Sequence, residues 1–328
     1  MDLSFLPEPK PPFMVQDTFE IKADVFALGS VVNGKLEQFH FVPDNHFEFY
    51  IQEKLQVLQA NPHEHRLIQS SDPEGLEDAL WQVFETFARE HPQLLEVKGP
   101  EVHLRAFGLV LNREHRTIKA LNPSALGRQV HDHLARQSGL VWLLDALALT
   151  VQEDLVVLRE HPEGHHSAEA LSVCFPSGWS PAEKLGRNFD FIHGPVAENA
   201  RLLRSSRNLM QALFHKGPFV RFGWGLSTSG DLNAHPSLPK KPVPHEDIGN
   251  GVFLRMERQT TLALPEQGRA LFTIRIYMNS LNERLQKDPA LRPRLIRLLK
   301  SVHPEVIKYK GMQDLLVPVL GHLEMKSE

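Results

Sequence analysis

A chain of 328 residues, 41% hydrophobic and 23% charged, is long enough to bury a large core, and its formal net charge of −4 supplies no global positive field to recruit nucleic acid or an anionic membrane. The longest unbroken apolar run, residues 140–144, falls far short of the roughly 20 residues of a membrane-spanning helix. The single cysteine, Cys174, excludes an intrachain disulfide, a thiolate-ligated iron–sulfur cluster and an all-cysteine zinc site in this chain.

No basic segment follows Met1, so no secretory signal is expected and the chain reads as cytoplasmic. Pro7, Pro9, Pro11 and Pro12 make residues 1–16 an extended arm, and 17–328 reads as one elaborated domain. Alternation around Phe19, Ile21 and 39–41 suggests short strands, and 49–58 a helix. Asp72-Pro73-Glu74 opens a firm helix carrying Leu76, Leu80, Phe84 and Phe87, closed by His91-Pro92. A second long helix is expected over about 140–158, then a strand over 168–175. Ser180-Pro181-Ala182-Glu183 has the form of a capping box opening a short helix. Another helix is expected over 195–215.

Three strands follow, at 219–228, 252–262 and 270–278, the last two joined by a hairpin turn ending in Gly268. A 23-residue proline-rich connection, 229–251, separates the first two and reads as a functional or mobile loop. Helices at 290–302 and 304–317 close the chain, the second stopping ahead of Pro318. The order is α+β, helices around an antiparallel sheet.

Chemistry-bearing residues concentrate on those strands. Arg255, Glu257 and Gln259 form a polar row, as do Thr273, Arg275 and Tyr277, while Arg258 sits among apolar neighbours and demands an anion. The rows suit either a solvated sheet face or a pocket wall. Hairpin register decides whether Glu257 lies opposite Tyr277. His193, after apolar Phe189, Phe191 and Ile192 and before Gly194-Pro195, is a positionally fixed imidazole that suits a haem iron or a core hydrogen bond. His131-Asp132-His133 and His161, His165 and His166 read as exposed, and Cys174 as an inert buried thiol.

The segments CFPSGWSPAEKLG at 174–186 and IHGPV at 192–196 carry a resemblance. VQEDL at 151–155, RFGW at 221–224, RMERQT at 255–260, Leu264-Pro265, Gly268, FTIR at 272–275 and Tyr277 extend it. Together they resemble the haem-dependent oxidative N-demethylase alpha-subunit-like family, best over 144–281. The resemblance implies a PAS-like antiparallel sheet flanked by helices, with haem b bound against it and His193 as the metal's axial ligand. On this reading Arg221, Trp224, Arg258 and Arg275 contact the cofactor, Arg258 and Arg275 through the propionates. Glu257 then holds an amine or relays a proton, and Tyr277 donates a hydrogen bond. The implied activity is O2-dependent N-demethylation of a small secondary amine. Electrons come from reductase-type partner subunits carrying flavin and an iron–sulfur centre. A non-catalytic haem-binding PAS-type sensor or carrier, and a haem-free scaffold, stay open beside it.

Overall fold

Two twelve-residue strands, Phe253–Leu264 and Arg269–Ser280, pair along their whole length and form the spine of the protein. The turn between them, Pro265–Gln267, ends at Gly268 with φ of 59°, a left-handed conformation that glycine adopts without a Cβ clash. The computed structural model describes residues 3–12, 19, 25–194, 203–243 and 246–325.

In chain order the described strands are β1 (Phe26–Ala27), β2 (Ser30–Val32), β3 (Lys35–Glu37), β4 (Arg66–Ile68), β5 (Leu95–Lys98), β6 (Glu101–Leu104) and β7 (Leu109–Asn112). They continue with β8 (Thr117–Ala120), β9 (Asp154–Glu160), β10 (His166–Ser172), β11 (Phe219–Ser227), β12 (Phe253–Leu264) and β13 (Arg269–Ser280). Seven form one antiparallel sheet in the order β1-β11-β12-β13-β9-β10-β4, and β5-β6-β7-β8 form a second. The α+β expectation therefore holds. No helix among the described residues is long and apolar enough to cross a membrane.

Register settles the polar rows. Glu257 lies opposite Ile276, Met256 opposite Tyr277 and Arg258 opposite Arg275. Because side chains alternate, Arg258, Arg275 and Tyr277 share one face, and Glu257 projects from the other. Of the two registers the sequence left open, the one adopted separates Glu257 from Tyr277.

At one end the Arg258 face packs its Leu254, Met256 and Tyr277 against C-terminal helices Leu291–Ser301 and Gln313–Glu324, burying Leu295, Leu298 and Val319. Further along, the 37–44 segment and helix Phe47–Ala60 cover it. The described residues cover the Glu257 face only in part. Helices Phe189–His193 and Ser206–His215 lie over its Ala270 and Phe272 end, through Phe189, Ile192, Met210 and Phe214.

Several local expectations change. The long 140–158 helix is helix Gly139–Ala148 followed by β9. The chain leaves the helix because Gln152 and Glu153 accept hydrogen bonds from the backbone of Asp44 and Val42 (2.8 and 2.9 Å), and buried Asp154 accepts two from Cys174 and Phe175. Ser180 makes no side-chain cap, and Pro181–Glu183 is a single 3-10 turn. The helix expected over 195–215 is described as Ser206–His215, and 195–202 lie outside the described residues. The N-terminal strands fall at β1 to β3 rather than at 39–41, and Ile21 lies outside the described residues. Within the arm, Leu6 is buried and Pro7 accepts a hydrogen bond from the Asn45 backbone. Helix Gln313–Glu324 runs through Pro318 instead of stopping before it.

Candidate functional site

On the partly open face, β11 contributes Arg221, Gly223 and Gly225, lying opposite Gln259, Glu257 and Arg255 of β12. Neither glycine has a positive φ. A Cβ built on Gly225 meets nothing within 4 Å, and one on Gly223 meets only Glu257 at an ordinary 3.7 Å. Neither backbone strain nor internal crowding requires glycine here, yet glycine weakens a strand interior. What the pair provides is a bare strip of sheet, a cradle that side chains would fill.

Glu257, half-buried, borders this strip. One carboxylate oxygen accepts from Ser177 Oγ at 2.5 Å and the other from Gln259 Nε2 at 2.7 Å. Ser177 in turn accepts from Arg255 Nε at 2.7 Å. Arg255 is buried and donates to the carbonyls of Phe175 (2.7 Å) and Leu232 (2.9 Å), tying the 175–177 turn and the 229–251 connection to β12. The connection is therefore anchored at this site, and Ala234 bridges directly to Ser177. Ser177 thus serves to hold a carboxylate.

His193 ends a short helix that Asn188 caps by accepting from the Phe191 backbone at 2.9 Å. Its ring stacks on Phe189 at a centroid distance of 3.9 Å, and Nδ1 lies 2.9 Å from the Phe189 carbonyl. A carbonyl only accepts, so Nδ1 carries the proton and Nε2 is the basic nitrogen. Burial, reinforced by the nearby cations Arg221 and Lys184, drops its pKa to about 4. The imidazole is thus neutral at pH 7, and Arg221 links it electrostatically to the glycine strip. A neutral ring oriented by an Nδ1–H to carbonyl bond is the arrangement metal-binding histidines use.

The other expected cofactor contacts separate from this face. Arg258 is buried against Glu37 (Nε–Oε2 2.8 Å) and donates to the carbonyls of Phe39 and His40. Arg275 pairs with Asp44 at 2.6 Å and stacks on Tyr50 and Tyr277. Their anions come from the protein itself, so both are corrected from propionate partners to internal ion pairs. Tyr277 is buried among them, its phenol pushed above the usual range by burial. Trp224 projects from the Arg258 face, edge-on to Phe19 at 6.0 Å. Of the expected residues, Arg221 and Glu257 share one face of the sheet and His193 is coupled electrostatically to Arg221; Trp224, Arg258, Arg275 and Tyr277 lie behind the sheet.

Two groups escaped the sequence reading. Tyr309, half exposed, has its pKa raised by burial and then by Glu257, and Lys310 feels both Glu257 and Arg221. Lys310 Nζ donates to the Trp224 carbonyl at 2.6 Å, on the edge of β11 beyond its pairing with β1. A sequence signal for the bare strip was the Gly223-Trp224-Gly225 alternation inside a strand.

Weaker candidates resolve structurally. His133 is buried rather than exposed and its Nε2 lies 2.7 Å from Asp145. His161 stacks on His165, and Cys174 is buried with its thiol pKa pushed well up. Among the described residues no three His, Cys, Asp or Glu side chains are grouped to hold a metal ion by themselves. A cleft of about 700 Å³ lined by Glu77, Arg113 and Arg116 lies beside the β5–β8 sheet, away from this site.

A model of the family described as haem-dependent oxidative N-demethylase, alpha subunit-like, matches residues 36–320, well beyond the 144–281 expected. The match takes in Glu37 and Asp44 at one end and Tyr309 and Lys310 at the other, and with it the chain belongs to that family.

Proposed function

We propose that this chain binds haem b against the Glu257 face of a PAS-like sheet, with His193 Nε2 as axial ligand. On this reading it carries the substrate-oxidising site of an O2-dependent N-demethylase for a small secondary amine. Electrons come from partner subunits carrying flavin and an iron–sulfur centre. The carrying observation is the bare Gly223/Gly225 strip on the face where Arg221 couples to a neutral, carbonyl-oriented imidazole. The family supports haem dependence and oxidative demethylation, and its alpha-subunit character supports partner subunits.

Haem, when bound, supplies the oxidising chemistry at a C–H bond beside the amine nitrogen. The protein's own residues supply the rest. Helix Phe189–His193 fixes the imidazole plane through the Nδ1–H bond to Phe189. The glycine strip admits a flat ligand that any larger side chain would hold off. Glu257, clamped by Ser177 and Gln259, presents carboxylate oxygens to an ammonium, and its position survives without substrate because both partners are protein groups. Arg258, Arg275 and Tyr277 brace the sheet from behind.

Formaldehyde release from dimethylamine by haem-replete protein, given O2 and a reductant, is the test. Glu257→Gln should lower turnover at unchanged haem content; full turnover in that variant removes the carboxylate from the mechanism. Haem-replete protein without turnover on any small amine would mark a sensor or carrier instead.

A further inference from the structure

Asp154 opens β9 and is fully buried, and both of its oxygens are spent on backbone amides: Oδ1 accepts from Cys174 and Oδ2 from Phe175, each at 2.9 Å. Those amides begin the turn that holds Glu257. The Phe175 and Pro176 carbonyls accept from Arg255, and Ser177 Oγ donates to Glu257 Oε1. Ala234 fastens the same turn from the 229–251 connection, donating to the Pro176 carbonyl and accepting from the Gly178 amide. Three covalently joined residues, 175–177, thus connect a carboxylate in the core to the carboxylate on the partly open face. Lys54, on helix Phe47–Ala60, directs its ammonium to the carbonyls of Ala148, Val151 and Glu153 and acts on Asp154 through its field, as Arg255 does from β12. Glu153 is turned to the Val42 amide, the buried Cys174 thiol stays neutral, and His65 lies beyond Val173, its Nδ1 2.8 Å from that carbonyl. Burial pushes the Asp154 carboxyl up to about 6, against the pull of Lys54, the two amides and Arg255.

Resting on the reading of Glu257 as the carboxylate that holds the ammonium, we propose that Asp154 is its positioning residue. Ionised, Asp154 holds the 174–177 turn through two charge-assisted hydrogen bonds; protonated, it lets the turn, Ser177 and Glu257 relax together. A protonated carboxyl presents an O–H where one amide N–H needs an acceptor, so one of the two bonds is lost and the other loses its charge. The consequence is an acid limb of substrate binding set by a residue that never touches substrate.

Calorimetric titration of dimethylammonium into haem-replete ferrous protein tests this, with carbon monoxide on the iron so that the amine cannot ligate it. A group titrating near 6 is about nine-tenths ionised at pH 7 and about one-tenth at pH 5, so the wild-type Kd should rise on the order of 10-fold over that interval. Asp154→Asn should bind weakly at both pH values with no limb. Ser177→Ala, which cuts the link and leaves Asp154 in place, should lose the limb as well, whereas His65→Gln should keep it. Melting temperature and haem content identify a variant that has not folded; if Asp154→Asn is one, Ser177→Ala, which deletes a single half-buried hydroxyl, decides. A limb of wild-type size in Ser177→Ala or in folded Asp154→Asn overturns the positioning role, as does a flat wild-type profile or a limb lost in His65→Gln. Wild type that binds no dimethylammonium, or Glu257→Gln that binds it equally well, overturns the reading of Glu257 instead. Wild type that forms no carbonyl complex overturns the haem reading, and is recognised by the absence of any Soret band.

Discussion

Truncating Arg258 separates an internal brace from a cofactor contact. The guanidinium and its partner Glu37 are 1% and 3% exposed, 2.8 Å apart, with two further donor bonds to the Phe39 and His40 carbonyls. Arg258→Ala strands a buried carboxylate and two buried acceptors. Breaking a buried pair from one side typically costs about 3–5 kcal/mol. Lys35, 3.2 Å from the other Glu37 oxygen and nearly half exposed, remains as a partial partner, which favours the lower end of that range. With roughly 2.1 cal/mol/K of unfolding entropy per residue, a chain of 328 residues has about 0.7 kcal/mol/K at its midpoint, so about 3 kcal/mol lowers Tm by about 4 °C if unfolding is a single step. Urea unfolding should show the same loss as a lower midpoint, and Arg258→Met with Glu37→Leu should recover most of it. Haem bound per folded molecule should not change, because the guanidinium lies on the far face of the sheet. Unchanged stability with lost haem would refute this reasoning and return Arg258 to the cofactor.

Gly225→Val should leave stability equal or raise it by up to about 1 kcal/mol, because its Cβ has open space and glycine disfavours strands, yet cut haem affinity by on the order of 10-fold; equal haem affinity in a titration would remove the strip from the site. Ser177→Ala deletes the hydroxyl between Arg255 and Glu257 and should cost about 1 kcal/mol with a fall in kcat at full haem occupancy; unaltered kcat would show that Glu257 needs no such support. Burial holds the His65 imidazole below its usual range, 5.1 Å from the His235 ring. The unfolded chain therefore binds a proton that the folded one resists: the contribution is complete above about pH 6.5 and is lost as pH falls toward the lowered folded value. His65→Gln should flatten the acid side of the stability curve by up to about 1.4 kcal/mol per pH unit, and parallel curves would contradict this.

Local patterns carried much of the fold. Helix Pro73–Glu90 declared itself through its Asp72 cap and apolar spacing, and the β12–β13 hairpin through alternation and Gly268. The position of His193, fixed at the end of an apolar segment, was equally legible. Register was not, because a one-residue slip exchanges the two faces of a strand while leaving its pattern unchanged. That single degree of freedom separated Glu257 from Tyr277 and sent Arg258 and Arg275 inward. Long-range polar contacts were invisible for a different reason. Gln152 and Glu153 serve backbone groups 108 and 111 residues away, and Lys310 reaches Trp224 across 86, so no local window contains both partners. The carboxylates that neutralise Arg258 and Arg275 lie at the end of the three-residue β3 and in the irregular stretch after it, where no periodicity announces them.

Titration of haem-free protein with ferric haem, followed by absorption in wild type and His193→Ala, reads the central assignment most directly. The account predicts a one-to-one Soret transition in wild type. In the variant the spectrum should shift and affinity fall on the order of 100-fold, with added imidazole restoring the wild-type spectrum. An identical spectrum and affinity in His193→Ala would contradict it.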